Sequence, residues 1–370
     1  MYIEKILIKN FRNLDDSFLE LNKNLNILTG ANGQGKTNFL ETIYLLGTAE
    51  SHRTGSDYEL INWDKNQALI QVKLIKREQD IKIKYKLRGR NKKIEINNNP
   101  LEKISDLMGN LNVVLFSPED LQLVKGGPSL RRNFINIEVS QVNNFYYKTL
   151  KRYNHVLKQR NNLLKDLRNN KTKDKNILDV WNKQLVTLGS KLIEKRLEVL
   201  DKLKILARLK QRQLTNGKEN LSITYESSLT GNIYEDDIAL IFKQNLVNNK
   251  DREIDRGYTL CGPHRDDIVF KVNDIDLRKF GSQGQQRTTA LALKMAELEF
   301  MKSEVGEYPV LLLDDVFSEL DKNRREALIN IIGDKIQTFI TTTEIKDLAD
   351  IKICARDIFK VNKGEIKKGW

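Results

Sequence analysis

The chain has 370 residues, with 63 Lys and Arg against 50 Asp and Glu and a formal charge of +13. That length can bury a sizeable core and predicts two domains, or one domain with a large insertion. No apolar run approaches the roughly 20 residues that cross a bilayer, and the opening Met1-Tyr2-Ile3-Glu4-Lys5-Ile6-Leu7-Ile8 alternates like a strand and lacks the layout of a signal peptide, so no membrane partner is expected.

From Tyr2 to about Ser51 the pattern reads strand, strand, glycine-rich loop, helix. Leu25-Asn26-Ile27-Leu28-Thr29 is a buried strand, and the run from Asn38 to Leu46 is the helix that follows. Between them, Gly30-Ala31-Asn32-Gly33-Gln34-Gly35-Lys36-Thr37 fits the phosphate-loop pattern G-x-x-x-x-G-K-[ST]. Each fixed position has a mechanical task. The glycines let successive N–H groups of the loop turn toward an anion. Lys36 can reach the β- and γ-phosphates, and Thr37 offers a hydroxyl to Mg²⁺. The helix N-terminus adds partial positive charge at the same place.

From Ala68 to Ile96, apolar and charged residues alternate. Ile70, Val72 and Leu74, then Ile81, Ile83 and Tyr85, then Ile94 and Ile96 predict a meander of half-exposed antiparallel strands. Asn97-Asn98-Asn99-Pro100 predicts the turn that closes it. A buried strand follows at 112–116, before the break at Ser117-Pro118. Between Lys73 and Asn98 lie 10 basic and 3 acidic residues.

The segment from about Asn144 to Gln213 has a different period. Tyr146, Leu150, Tyr153, Leu157, Leu164 and Leu167 recur every three or four residues, with Arg160 interrupting, and Leu178, Trp181, Leu185, Leu188 and Leu192 repeat the spacing. This predicts two helices of roughly 30 residues in an antiparallel coiled hairpin, joined by a polar apex from Arg168 to Asn176. From Lys148 to Arg212 there are 19 Lys and Arg against 6 Asp and Glu, so this segment carries the whole net charge. Two readings stand beside each other: a surface for a polyanion, most simply DNA, or Lys and Arg that merely solvate exposed helices.

The α/β pattern is expected to resume near Tyr258. Phe280-Gly281-Ser282-Gln283-Gly284-Gln285-Gln286-Arg287 precedes a helix, with Ser282 capping and Gln285 closing a capping box, and the same helix start can hold an anion. Pro309-Val310-Leu311-Leu312-Leu313-Asp314-Asp315 is a buried strand ending in two carboxylates. After such a strand the first carboxylate, Asp314, holds Mg²⁺ through water, and Asp315 is placed to orient or deprotonate an attacking water. The two cysteines, Cys261 and Cys354, are far apart, which predicts reduced thiols packed in the core of a cytoplasmic protein. His52 and His264 stand beside arginines and are expected as satisfied hydrogen-bond partners, not ligands.

The phosphate loop, the Ser282–Gln286 element and the Asp314-Asp315 pair together resemble the ABC-type ATPases. The opening Ile6-Leu7-Ile8-Lys9-Asn10-Phe11-Arg12-Asn13 is similar to the branch that includes the structural-maintenance-of-chromosomes ATPases. Within that branch the chain resembles the RecF family of bacterial recombination mediators. The resemblance is carried by Thr37-Asn38, Ser51-His52-Arg53-Thr54, Phe116-Ser117-Pro118-Glu119-Asp120-Leu121, Gly127-Pro128-Ser129-Leu130-Arg131-Arg132, Gly262-Pro263-His264-Arg265-Asp266-Asp267 and Leu313-Asp314-Asp315-Val316-Phe317-Ser318-Glu319-Leu320-Asp321, in order along the chain.

The resemblance implies an ABC-type α/β ATPase head with a β-rich lobe and an inserted helical arm. The expected parts are 1–125 and 256–370 for the head and 126–255 for the arm. It implies ATP and Mg²⁺ as cofactors, an ATP-dependent homodimer, and binding to duplex DNA and to single-strand/double-strand junctions. It also implies recombinase loading with RecO- and RecR-type partners, and slow hydrolysis that drives release. Lys36, Thr37, Asn38 and the loop backbone would hold the nucleotide, Thr37 and Asp314 the metal, and Asp315 would be the catalytic base. Ser282 would touch the γ-phosphate bound by the other subunit. ABC ATPases usually carry Glu where Asp315 stands, and the switch histidine of many has no counterpart at Thr341-Thr342-Thr343. A transporter ATPase would need no basic coiled insertion, and chromosome-organising relatives carry far longer coiled coils.

Overall fold

The computed structural model describes residues 1–171, 176–333, 335–344 and 356–369. In chain order, β1 (Tyr2–Lys9), β2 (Ser17–Glu20) and β3 (Leu25–Thr29) lead to α1 (Lys36–Thr48). Then come β4 (Gln67–Lys76), β5 (Gln79–Arg88), β6 (Asn91–Ile96), β7 (Asn99–Pro100) and β8 (Val113–Phe116). Helices follow: α2 (Leu121–Lys125), α3 (Pro128–Val142), α4 (Asn144–Arg168) and α5 (Asn176–Leu214). After β9 (Leu221–Glu226) come α6 (Ile238–Asn248), α7 (Lys250–Arg256), β10 (Asp267–Val272), β11 (Ile275–Asp276) and α8 (Leu277–Phe280). The remainder is α9 (Gln283–Val305), β12 (Val310–Asp314), α10 (Lys322–Ile332), β13 (Thr338–Thr342), β14 (Arg356–Asn362) and β15 (Glu365–Lys368).

These elements form two compact units. The first holds Met1–Leu121, Gln213–Gly217 and Ala290–Trp370; the second holds Gln122–Arg212 and Lys218–Thr289. The second unit therefore runs past the expected arm boundary at 255. Residues 256–289 do not return to the parallel sheet. They build β10 and β11; β10 pairs antiparallel with β9 on one side and with β11 on the other, in a small sheet of order β11-β10-β9.

The first unit contains two six-stranded sheets. One has the order β2-β1-β4-β5-β6-β7 and is antiparallel throughout. Its register puts Ile8, Ile70, Tyr85 and Ile94 in one cross-strand row, all buried, because side chains two apart share a face. Asn97 and Asn98 make the turn in left-handed conformations (φ 50° and 66°), while Asn99 and Pro100 already belong to β7. The other sheet runs β15-β14-β3-β13-β12-β8, parallel except for the β14–β15 hairpin. Its inner strands β3, β12 and β13 are buried on both faces, as expected for parallel strands; β12 is an apolar run, while β13 carries threonines that keep hydrogen-bond partners.

In the second unit α4 and α5 form the expected antiparallel pair. Tyr146 of α4 lies beside Arg196 of α5, and Arg160 beside Asn182, so the two helices run in opposite directions. At about 1.5 Å per residue, α4 extends roughly 37 Å and α5 roughly 58 Å, so the arms are unequal. Residues 172–175 of the expected polar apex lie outside the described residues. Arg160 does not interrupt the seam. It is fully buried in it, donating to Glu253 (2.6 Å), Thr259 (2.8 Å) and Asn182 (2.8 Å). An arginine at an apolar-period position is stable there because its charge meets a buried carboxylate and its remaining N–H groups meet oxygens.

Candidate nucleotide site

β3, β13 and β12 are parallel neighbours, so their C-terminal ends lie along one edge of the sheet. Ligand crevices of open α/β sheets form at such edges. The phosphate loop leaves β3 here and enters α1 at Lys36. Gly35 caps α1 with φ 114°, a backbone angle that a side chain resists, and a Cβ there would crowd Leu14. The cap makes no side-chain hydrogen bond, so the first N–H groups of α1 face the loop without a competing acceptor from the cap.

The loop, Arg53, Pro118, Asp314, Asp315 and Thr341 line a cavity of about 380 Å³. Lys36 folds over the loop, its Nζ donating to the carbonyl oxygens of Gly30 (2.7 Å) and Ala31 (2.9 Å). Burial pushes its pKa below the usual lysine value, and Asp315 and Asp314 pull it back up. Two hydroxyls converge on one carboxylate oxygen: Thr37 Oγ1 donates to Asp314 Oδ1 at 2.9 Å, and Thr341 Oγ1 donates to it at 2.7 Å. Thr341 Oγ1 in turn accepts the Asp315 N–H at 2.9 Å. Asp315 sits at φ 51°, the left-handed region that Asp tolerates better than longer or branched residues.

The donor set fits a hard divalent cation. All its members are oxygens, the donors a hard cation takes; Thr37 would offer its hydroxyl to the ion, and Asp314, which now accepts that hydroxyl, its carboxylate through water. Of the residues expected at the site, Gly30 to Asn38, Asp314 and Asp315 all lie in the first unit. Ser282 lies in the second. There it makes the expected capping box: Ser282 Oγ accepts the Gln285 N–H at 3.2 Å, and Ser282 N–H donates to Gln285 Oε1 at 3.1 Å. Gln286 is committed elsewhere, its side chain donating to the Leu277 carbonyl at 2.8 Å.

Several residues at this site carried no role in the sequence reading. Thr341, noted there only for the absence of a histidine, orients Asp314. Asn13 and Arg53 hold Asn38, itself expected at the nucleotide, from both sides: the Asn38 amide donates to Asn13 Oδ1 (2.6 Å) and its Oδ1 accepts from Arg53 Nη1 (2.6 Å). Behind it, buried Glu41 receives a two-point pair from Arg12 (2.5 and 2.7 Å) and the Ser51 hydroxyl (2.5 Å). Arg12, Asn13, Ser51 and Arg53 belong to the family-like stretches quoted above, so the signal was present without a task attached to it.

The two histidines differ. His264 is satisfied as expected: Tyr153 OH lies 2.7 Å from its Nδ1, and burial takes its pKa down to about 3. His52 is not. Its Nδ1 is buried without a hydrogen-bond partner among the described residues, its ring meets Tyr44 edge-on at 5.1 Å, and burial lowers its pKa. Cys261 is buried, and burial pushes its thiol up to about 12; Cys354 lies outside the described residues.

The family described as the RecF/RecN/SMC N-terminal domain matches residues 2–367. The DNA replication and repair protein RecF of Halothermothrix orenii is 56% identical over 371 residues, covering 100% of this chain and 99% of its own. The chain belongs to the RecF family. A solved structure of the recombination mediator protein RecF-ATPrS in the RecFOR pathway matches with a TM-score of 0.92 and 34% identity, covering 99% of this chain and 98% of that one. An Smc head domain from Pyrococcus furiosus matches with a TM-score of 0.55 at 16% identity, a likeness of fold alone. The expected ABC-type α/β head with an SMC-like helical arm is thus the architecture of this RecF-family member. No helix among the described residues is long and apolar enough to cross a membrane.

Proposed function

We propose that this chain is a DNA-binding ATPase of replication and recombinational repair, working as an ATP-dependent homodimer. The observation that carries the reading is the hydroxyl–carboxylate cluster of Thr37, Asp314 and Thr341 beside the phosphate loop. Lys36 would exchange the carbonyls of Gly30 and Ala31 for the β- and γ-phosphates, and the N–H groups of residues 30–38 would cradle them. Mg²⁺, held by Thr37 and through Asp314, supplies charge neutralisation on the phosphates when bound. Asp315 is the candidate general base for the attacking water. The RecF-ATP complex described for a relative supports ATP as the nucleotide.

Ser282 would approach the γ-phosphate from the other subunit. Its hydroxyl oxygen accepts from Gln285, which leaves its proton free to donate. Nucleotide bound across two subunits favours the dimer by mass action. That dimer would hold duplex DNA and single-strand/double-strand junctions, cooperate with RecO- and RecR-type mediators in loading recombinase, and open after slow hydrolysis. The basic second unit and the RecFOR context of the relative support this reading.

Sedimentation of the full chain with ATP, Mg²⁺ and duplex tests it. A doubled mass is expected that Ser282→Arg prevents while nucleotide binding persists. An unaltered monomer, or a dimer indifferent to Ser282→Arg, would overturn the shared-nucleotide geometry.

A further inference from the structure

Residues 127–132 and 262–267 take no part in the nucleotide site, yet they converge within the second unit. Their neighbouring arginines have opposite circumstances. Arg131 is fully committed: its Nε and Nη2 form a two-point pair with Asp267 (2.7 and 2.9 Å), and its Nη1 donates to the Gly126 carbonyl (2.8 Å). Arg132 donates only to the backbone carbonyl of Asp266 (2.8 Å) and makes no ion pair among the described residues. The Asp266 carboxylate is not available to it, being taken by the Ser228 N–H and hydroxyl (2.7 and 2.6 Å) and by Tyr225 OH.

Arg196 reaches the same place from α5. It is buried and held by Tyr146 OH (3.0 Å), the Pro263 carbonyl (2.6 Å) and Asn136 Oδ1 (2.9 Å), with no carboxylate among these partners. Gly262 permits the turn that aims Pro263 and His264 inward, with φ 118° and no room for a Cβ against Phe242 and Tyr153. The result is a cavity of about 200 Å³ whose polar lining includes Ser129, Arg132, Asn136, Asn154, Arg196 and His264, and no Asp or Glu. Asn136 Oδ1 accepts from both Arg196 and Tyr146, and its amide N–H₂ makes no hydrogen bond among the described residues. Ser129 and Arg132 stand in the first turns of α3, where the helix dipole adds to their charge. Burial lowers the Arg132 pKa and the nearby Arg196 lowers it further, while the Asp267 and Asp266 carboxylates, committed to other partners, raise it.

We propose that this pocket binds a phosphoryl group directly, as an oxyanion without a metal bridge. A buried guanidinium, a second one with free N–H groups, and hydroxyl and amide donors from two helices surround the space from several directions. That arrangement suits a tetrahedral oxyanion better than a planar carboxylate. Free phosphate and a nucleic-acid phosphate share this chemistry.

The chain has 3 histidines, so selective histidine labelling gives a simple NMR readout of His264 in the pocket wall. Inorganic phosphate titrated into the full chain should shift the His264 resonances saturably. The shift should persist in Lys36→Ala, which takes the phosphate loop out of play. Arg132→Gln should weaken the affinity about tenfold or more, and Asn154→Asp, at an exposed position, should weaken it with the fold intact. Duplex oligonucleotides then distinguish the sources. A shift with hydroxyl-ended duplex assigns a backbone phosphate, one that requires a 5′-phosphate assigns a strand end, and one from inorganic phosphate alone assigns the free ion. The proposal is overturned if phosphate leaves His264 unmoved, if chloride at equal ionic strength shifts it as much, if both variants respond like the parent, or if an acidic peptide shifts it where phosphate does not.

Discussion

The nucleotide cleft and the arm pocket both surround an anion-sized space with a buried basic side chain, yet they balance charge in opposite ways. In the cleft, Lys36 has two carboxylates in its field, and Asp314 anchors two threonine hydroxyls. In the pocket, Arg196 is held by tyrosines, an asparagine and a backbone carbonyl, and the lining contains no carboxylate. A phosphate brought beside Asp314 and Asp315 meets like charge and needs a divalent cation between them. A phosphate brought beside Arg132 would meet no carboxylate in the pocket lining, the nearby Asp266 and Asp267 being held by Ser228 and Arg131. The difference teaches that a basic residue alone does not define a phosphate site: the neighbouring acids decide whether a metal belongs to it.

The sharpest way to separate the two regions is to disable one. Lys36→Ala should weaken ATP binding by about a hundredfold or more, by loss of a charged donor to two phosphates, measured with a fluorescent ATP analogue. An unchanged affinity would break the reading of the cleft. Asp315→Asn should slow hydrolysis by about 10²-fold or more while ATP still binds, the range for removing a general base, and should leave a long-lived dimer by light scattering. In the second unit, Glu253→Gln should destabilise the chain by about 3 kcal/mol, because Arg160 keeps its buried charge and loses the carboxylate at 2.6 Å. Urea unfolding with and without the substitution checks this.

The smallest effect is one of pH. Burial takes the His264 pKa down to about 3 from the ordinary histidine value of 6.5, so folding favours its neutral form. Its contribution to stability is fully present above about pH 6.5 and is lost as pH falls toward 3. Thermal unfolding between those limits should therefore fall off less steeply in His264→Gln than in the parent. A phosphate in the pocket should oppose the loss by raising the His264 pKa.

Much of the cleft was legible because its parts are local. Gly30 to Thr37 is a single turn whose backbone angles are set by its own glycines, and the run ending in Asp314 declares a buried strand by apolar residues alone. The capping box of Ser282 and Gln285 is equally local, and the structure forms it. Thr341 was not legible, because its task depends on β13 pairing with β12 so that Thr341 stands opposite Asp314, a register that the sequence of neither strand records. Arg160 was misread for the same kind of reason: the period showed an interruption, while its partner Glu253 lies on another helix.

By itself the sequence determined the phosphate loop, the strand and helix around it, the two carboxylates, the meander and the long helical pair, since each follows from residue type and spacing within one segment. The tertiary structure alone decided which of two adjacent arginines is tied to a carboxylate and which is left facing a cavity. It also decided that residues 256–289 join the arm unit rather than the parallel sheet. Charge compensation and strand partnership are relations between distant segments, and only folding brings those segments within reach of a hydrogen bond.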